Sequence, residues 1–383
     1  MKAIRNISRI FVGLVFLFSG FVKAVDPWGT AIKFNDYFFA MGLEALVPYT
    51  FILGVIMIAA EFVIGFSLLT CVKVKLASLG ALIFMAIFTP VTLWLALKNP
   101  VSDCGCFGDA IKLTNWQTFF KNIIIIIPTI LIFWQAKKFN SRLSGIMQWN
   151  IAGVGILIVG FIMWYSYVHL PIIDFLPYKE GTHLPDLMKA PKDAPKDEYA
   201  QMITLKDTTT GKQIEIDVNT YTVDSTYWGA GTKYKYISIS EPKLIKKGYT
   251  PPIHDFNIYD NENNNYIDTA LNSNSYVFIF ISPKLEKASN KNIENISALY
   301  NYAIKNNYLF YALTSSMQKD IDTFIVHNKI PFSFYMCDET TLKSIVRSNP
   351  GLMLLKNGTI LKKWSYFDFP NVTDIEKITL NNK

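Results

Sequence analysis

The chain has 383 residues, 51% of them hydrophobic and 17% charged, with a mean hydropathy of +0.23. That is too apolar for an ordinary soluble protein and calls for membrane spans. The formal net charge is +7, but many N-terminal cations stand at the ends of apolar runs, where they orient helices in a bilayer. No nucleic-acid partner is therefore read from it.

Apolar runs cover residues 7–25, 47–69, 76–97, 116–136 and 146–170, while Asn, Lys, Asp and Tyr dominate the remainder. Each run is near the roughly 20 residues that cross a hydrocarbon core. Lys2, Arg5 and Arg9 before the first run resemble the basic region of a signal peptide. No small-x-small cleavage site is evident and more spans follow, so an uncleaved helix is expected. Lys73 and Lys75 join the second and third runs, and Lys137, Lys138 and Arg142 join the fourth and fifth. By the positive-inside rule these segments are cytoplasmic. Asp26, Asp36, Glu44, Asp103 and Asp109 occupy the alternate connections, which face outward. The expectation is a multi-pass protein in the lipid bilayer of the cytoplasmic (inner) membrane, N-terminus inside, with everything after residue 170 periplasmic. Trp28, Trp94, Trp116, Trp134, Trp149 and Trp164 lie near the expected helix ends, as an interfacial belt requires. Pro90 and Pro128 fall inside runs, where neighbouring helices can accommodate a kink.

Glu61 lies within an otherwise apolar run, and an ionisable group at that depth is costly unless paired, protonated or beside water. At about 1.5 Å per residue, Glu61 is about 21 Å from the outer end of its helix and Arg9 about 24 Å from the outer end of the first. A Glu61–Arg9 pair is thus allowed, as a structural salt bridge or with a proton-handling role. Lys121 is too near the outer end of its helix to be the obvious partner and is expected to snorkel outward.

The connection after the third run reads Asp103-Cys104-Gly105-Cys106-Phe107-Gly108-Asp109. Four cysteines in so long a chain make no disulfide framework, so each is weighed alone. Cys104 and Cys106, one residue apart on the outer face, can form a small-ring disulfide open to exchange. They can also be two buried thiols in a tight loop. Metal binding needs further ligands, and no nearby His or Cys completes a four-coordinate site. Cys71, at a cytoplasmic helix end, is expected to stay reduced. Cys337, at the end of an expected strand, is either a small buried hydrophobe or a thiol that reaches the loop pair.

After His169-Leu170-Pro171, the stretch Pro177 to Lys196 is rich in Pro, Lys and Asp and reads as a linker. Met202 to Leu205 and Gln213 to Val218 flank Thr210-Gly211 as a hairpin, with Lys233 to Ser240 as a further strand. Strands then alternate with helices. Tyr276 to Ser282, Leu309 to Thr314 and Phe332 to Met336 read as strands, separated by helices over Ser289 to Asn306 and Lys319 to His327. A helix over Glu339 to Arg347 follows, and Gly351 to Leu355 with Ile360 to Trp364 form a hairpin around Lys356-Asn357-Gly358. That order implies a small α/β domain.

Two resemblances follow. Pro252-Ile253-His254-Asp255-Phe256 resembles the A-P-D-F entry of membrane-tethered and peroxiredoxin-like members of the thioredoxin fold. The run Asn349-Pro350-Gly351-Leu352-Met353-Leu354-Leu355-Lys356-Asn357-Gly358 resembles its cis-proline and following hairpin. This likeness, over about residues 250–366, implies a cis Asn349–Pro350 bond and a binding role for Asn349 and Pro350. Where that family carries C-x-x-C, this chain has Pro283-Lys284-Leu285-Glu286-Lys287, so this domain should not exchange disulfides itself. In the N-terminal part, Phe18-Ser19-Gly20-Phe21-Val22-Lys23, Asp26-Pro27, Glu61 and above all Cys104-Gly105-Cys106-Phe107-Gly108 resemble the DoxX/MauE group of helical-bundle membrane proteins, over about residues 1–136. MauE-type proteins are associated with maturation of disulfide-containing periplasmic enzymes and DoxX-type proteins with quinone-linked oxidation.

The expected fold is multi-domain: a DoxX/MauE-like α-helical membrane bundle over residues 1–175, a four-helix core plus a fifth helix; a linker and small β region over 176–245; and an extracytoplasmic α/β, thioredoxin-like domain over 246–383. Two functions compete. In one, Cys104 and Cys106 are a redox pair that serves extracytoplasmic protein clients and passes electrons to a carrier such as a quinone, with Glu61 and Arg9 as an intramembrane proton or ion-pair site. In the other, the protein is a non-enzymatic scaffold whose thioredoxin-like surface binds envelope partners.

Overall fold

In the computed structural model, which describes residues 2–101, 103–139, 141 and 143–381, the N-terminal part is a helical bundle. Its helices are α1 (Lys2–Val25), α2 (Pro27–Ala40), α3 (Thr50–Leu69), α4 (Val74–Lys98), α5 (Asn115–Trp134) and α6 (Gly145–Val168). Five stretches are long and apolar enough to cross a membrane: α1, Glu44–Leu69 (which ends in α3), α4, α5 and α6. The chain thereby has the character of a multi-pass membrane protein.

The sixth helix, α2, occupies what the sequence reads as a plain connection. Asp26 caps it by accepting from the Gly29 N–H at 2.9 Å, and Pro27 takes a first-turn position that has no need of an N–H. Register between the antiparallel α1 and α3 is set by close backbone approach. A Cβ on Gly20 would stand 2.5 Å from the Phe62 nitrogen, and one on Gly65 would run into the Leu17 backbone. Glycine lets the two helices meet there without a side chain between them.

Most of the described basic residues of this part gather at one end of the bundle. Arg9 donates to the carbonyls of Leu68 and, at 2.9 Å, Leu69, satisfying the last turn of α3. The Arg5 and Arg9 guanidinium groups lie 4.9 and 5.9 Å from the Phe139 ring, and Lys73 lies 4.6 Å from that of Trp149. Arg142 lies outside the described residues.

Leu184–His254 forms a compact unit of its own, and the rest of the chain forms the other. The smaller unit holds α7 (Leu184–Met188), β1 (Glu198–Ala200), β2 (Met202–Asp207), β3 (Gln213–Asp217), α8 (Val218–Val223), β4 (Tyr234–Ile239) and β5 (Lys243–Lys246). β2 is central in an antiparallel three-stranded sheet ordered β3-β2-β4, and β1 pairs with β5. Asp207 accepts from the N–H groups of Thr209 and Thr210 and meets Lys233 Nζ at 2.8 Å. The Lys233 hydrogen bond, helped by these turn amides, pulls its carboxyl down to about 2.

In the larger unit, the α/β part comprises α9 (Ile267–Leu271), β6 (Tyr276–Ser282), α10 (Ile293–Lys305), β7 (Leu309–Thr314), α11 (Gln318–Asn328), β8 (Phe334–Met336), α12 (Glu339–Ile345), β9 (Gly351–Lys356), β10 (Thr359–Ser365) and α13 (Val372–Asn381). The sheet order is β10-β9-β6-β7-β8, with β6, β7 and β8 parallel and β9 and β10 antiparallel. Every residue of β6 is buried, so its apolar run without alternation is that of a central strand covered on both faces. Phe278, Phe280, Leu352 and Leu354 fill one face against α10, α11 and α13.

The stretch after α6 is more than a tether. Tyr178 is buried, Ile360 exchanges backbone hydrogen bonds with Gly181 and Thr182, and Asp174 meets Lys363 Nζ at 2.5 Å. Residues 174–182 thus line the β10 side of the sheet, within a segment whose Pro, Lys and Asp content reads as linker.

Candidate functional site

Among the described residues, the fully buried charges of the bundle interior gather at one point. Glu61 is buried in α3, and its carboxylate meets Lys23 Nζ, from the last turn of α1, at 2.8 Å. The two side chains are only 8% and 6% exposed. In a medium without water each charge needs the other, and breaking such a pair strands a charge. The expected partner Arg9 is therefore replaced by Lys23. The expectation measured depth from the helix ends and placed α3 too far in. The Gly20–Phe62 contact puts Glu61 beside the outer turns of α1, and α3 runs on past Val25 to pack on α2.

Ser19, one turn before Lys23, lies 3.0 Å from Glu61 Oε2 and 2.8 Å from the Cys106 carbonyl, and accepts from Lys23 at 3.1 Å. Its single proton can go to either oxygen, so it joins the ion pair to the loop above. The i, i+4 spacing of Ser19 and Lys23 puts both on the face turned to Glu61.

Cys104 and Cys106 are joined by a disulfide. Cys104 is buried, and Cys106 is half-buried. Gly105 between them has φ +61°, and Asp103 accepts from its N–H at 3.0 Å. α2 clamps the loop from the side: Lys33 pairs with Asp103 at 2.9 Å, and the Tyr37 hydroxyl donates to the Cys104 carbonyl. Burial, reinforced by Asp103 and Asp36, raises the Tyr37 phenol well above its ordinary value and keeps it a donor. Phe107 packs edge-on to Phe18 at 5.5 Å, with Lys121 Nζ 4.4 Å from its ring. Lys121 does reach toward the loop, as a snorkelling lysine would, but it comes to rest over an aromatic face.

These groups share a cavity of about 70 Å³, lined by Lys23, Glu61, Cys104, Cys106 and Lys121 among others. Among the described residues, no group of three or more His, Cys, Asp or Glu side chains gathers to hold a metal ion.

A second polar knot ties the loop to the α/β part. Arg347, after α12, donates through Nε to both Asp26 oxygens at 3.1 and 2.9 Å and through Nη1 to the Lys343 carbonyl at 2.5 Å. Its Nη2 stands 3.7 Å from Asp109, the last residue of the loop motif. Sequence reasoning passed over Arg347 as the end of a helix. The available signal is that it is the sole arginine after residue 142 in a lysine-rich region, and only a guanidinium spans two carboxylates in this way.

The Asn349–Pro350 bond is cis. Asn349 accepts from Ser282 Oγ and donates to the Lys284 carbonyl, both at 2.7 Å, so its amide fastens this loop to the thiol-free turn after β6. Pro350 itself is buried. Cys337 follows β8 as a buried free thiol, and the loop cysteines are bonded to each other rather than to it. Burial pushes the Cys337 thiol up to about 11, so it is protonated at neutral pH and a poor nucleophile. Cys71 is also free, in the turn beyond α3.

No curated protein matches the chain. Residues 1–135 match the family model of the methylamine utilisation protein MauE, a span that takes in Ser19, Lys23, Glu61, the Cys104–Cys106 loop and Lys121, so the similarity covers the whole buried centre.

Proposed function

We propose that the protein is a thiol–disulfide exchange factor of the cytoplasmic membrane, with its N-terminus inside and its loop disulfide and α/β domain in the periplasm. The observation that carries this reading is the Cys104–Cys106 disulfide lining one cavity with a buried Lys23–Glu61 pair. A client thiolate attacks the Cys106 sulfur, the less buried of the two, and forms a mixed disulfide as Cys104 leaves as thiolate. The client's second thiol displaces Cys106. Two electrons and two protons have then moved from the client dithiol to the loop, leaving a client disulfide. Exchange with a further disulfide of the same chemical class returns the loop to its oxidised form. Lys23, which lines the same cavity, is the cation available to a departing thiolate, and Ser19 links Glu61 to the loop as a proton route.

We read the α/β domain as thioredoxin-like and redox-inactive. Parallel β6–β8, antiparallel β9–β10 and the cis Asn349–Pro350 bond support this, and Pro283 to Lys287 carries no thiol. Its part is to hold the loop through Arg347 and to present clients.

Trapping tests the reading. Membranes from cells are quenched in acid, and free thiols are alkylated before and after reduction. The loop pair should be found in both oxidised and reduced forms, and Cys104→Ser with Cys106→Ser should abolish mixed disulfides. A pair locked in one state, with an inert double variant, overturns it. The burial of Cys104 favours one other reading, a scaffold in which the disulfide is only a clip. A partner crosslinked through the α/β surface that survives the double variant would support that instead.

A further inference from the structure

A cavity of about 410 Å³ opens where the α/β part faces the ends of α2, α3 and α6. That is within the range of sites that enclose small molecules or head groups, roughly 300–1,000 Å³. Its two sides differ in chemistry. One is made by Trp28, Ala31 and Ile32 of α2, by Thr50, which opens α3, and by Tyr167, next to last in α6. Trp28 and Tyr167 stack on each other at 6.0 Å and both pack on Phe51, at 4.7 and 5.5 Å. Aromatic rings at the ends of spanning helices mark the level of the lipid–water boundary.

The other side carries Lys284, Lys287 and Lys343 against a single carboxylate, Glu339, which the first and third share at 3.2 and 2.6 Å. Lys287 is exposed and makes no ion pair among the described residues. Arg347 also lines the space but is already satisfied by Asp26. Asn35 of α2 lines it too, and its Oδ1 has no hydrogen-bond partner among the described residues. The space is thus bounded by aromatic rings at membrane level and surplus positive charge above them.

We propose that this cavity binds an anionic glycerophospholipid, with the phosphate toward Lys287, Lys284 and Lys343 and the acyl chains leaving past Trp28 and Ile32. The chemistry is that of a phosphate diester with an apolar tail, which neither the cations nor the rings alone would select. The proposal stands on the helices as membrane spans and not on the exchange chemistry of the loop.

The test uses the full chain purified in detergent. Retention of phosphatidylglycerol, phosphatidylcholine and soluble glycerol phosphate is read by native mass spectrometry. Phosphatidylglycerol should be retained over phosphatidylcholine and should raise the unfolding temperature. Lys287→Gln should weaken it about fivefold and Lys287→Glu by about twenty-five-fold, the effect expected of one and two charges at an anionic lipid surface. Lys319→Glu, on the exposed face of α11, should change nothing. Equal retention of the two lipids, or indifference to Lys287, overturns the proposal. So does glycerol phosphate reproducing the full stabilisation without lipid, which would make this a free-phosphate site. An acidic peptide matching the lipid in lipid-free detergent would make it a peptide groove and overturn the proposal equally.

Discussion

Lys23–Glu61 and Arg347–Asp26 are both buried cation–carboxylate pairs, yet they sit in different surroundings and do different work. The first lies among apolar helices with Ser19 as its only other described hydrogen-bond partner, and a lysine supplies it as a point charge. The second lies where the bundle meets the α/β part. Its guanidinium serves a bidentate carboxylate, a backbone carbonyl and a more distant aspartate at once, while Asp26 also caps α2. Inside the bundle the pair can only hold or move charge. At the junction it fixes geometry, because a planar fork accepts one arrangement of partners.

Replacing one member of each pair should sharpen that contrast, with the largest effect inside the bundle. Glu61→Leu leaves Lys23 uncompensated and should lower stability by about 3–5 kcal/mol, seen as early thermal unfolding in detergent. Lys23→Met combined with Glu61→Leu should recover most of it. A Glu61→Leu protein that melts like the parent would mean the pair is solvated, and the contrast would fall. Arg347→Ala should cost about 2–4 kcal/mol and, unlike Glu61→Leu, should speed hydrogen exchange at Gly29 and along α2. Arg347→Lys should restore little of that protection, since a single ammonium cannot serve Asp26, the Lys343 carbonyl and Asp109 from separate nitrogens as the guanidinium does.

Cys337 gives a pH-dependent test in the same α/β part. Its thiol is raised from 9.0 to about 11 by burial, so the folded state holds the proton more tightly than the unfolded one. That contribution, about 3 kcal/mol at most, is fully present below pH 9 and lost as pH rises toward 11. Cys337→Ala should flatten the decline of unfolding temperature over that window. An unchanged slope would place the thiol in contact with water. The smallest effect belongs to Ser19→Ala, roughly 1 kcal/mol for a hydrogen bond whose partners keep each other. Its sharper readout is the rate at which dithiothreitol reduces the Cys104–Cys106 disulfide, which should change if Ser19 joins the loop to the ion pair.

Much of the fold can be read along the chain because it rests on local pattern. The five apolar stretches, three of the five strands of the small unit (β2, β3 and β4) and the strand–helix order from Tyr276 to Ser365 all show their own periodicity or length. α2 is less visible. Its residues mix Trp, Phe, Lys, Asn and Asp, and only Asp26-Pro27 announces a helix start. α13 lies beyond the last motif, and Tyr178 to His183 carries a linker's composition although it pairs with β10. The membership of the site was partly visible too. Glu61 and the cysteine loop stand out by their chemistry, while Ser19, Lys23 and Asp26 stand only in runs that carry the family resemblance; that Lys23 and not Arg9 meets Glu61 depends on register, which no single helix contains.

By itself, the sequence determined that an apolar helical part precedes an α/β part, that a carboxylate in the second apolar run must be paired, protonated or beside water, and that two thiols share a loop of glycines. Those follow from side-chain chemistry and from periods of a few residues. Tertiary structure decided which cation serves Glu61, that Ser19 links that pair to Cys106, and that Arg347 reaches back to Asp26 from 321 positions away. Such contacts depend on how closely α1 and α3 approach at Gly20 and Gly65 and on where one domain rests on another. Steric fit between distant segments sets both, and no local pattern encodes it.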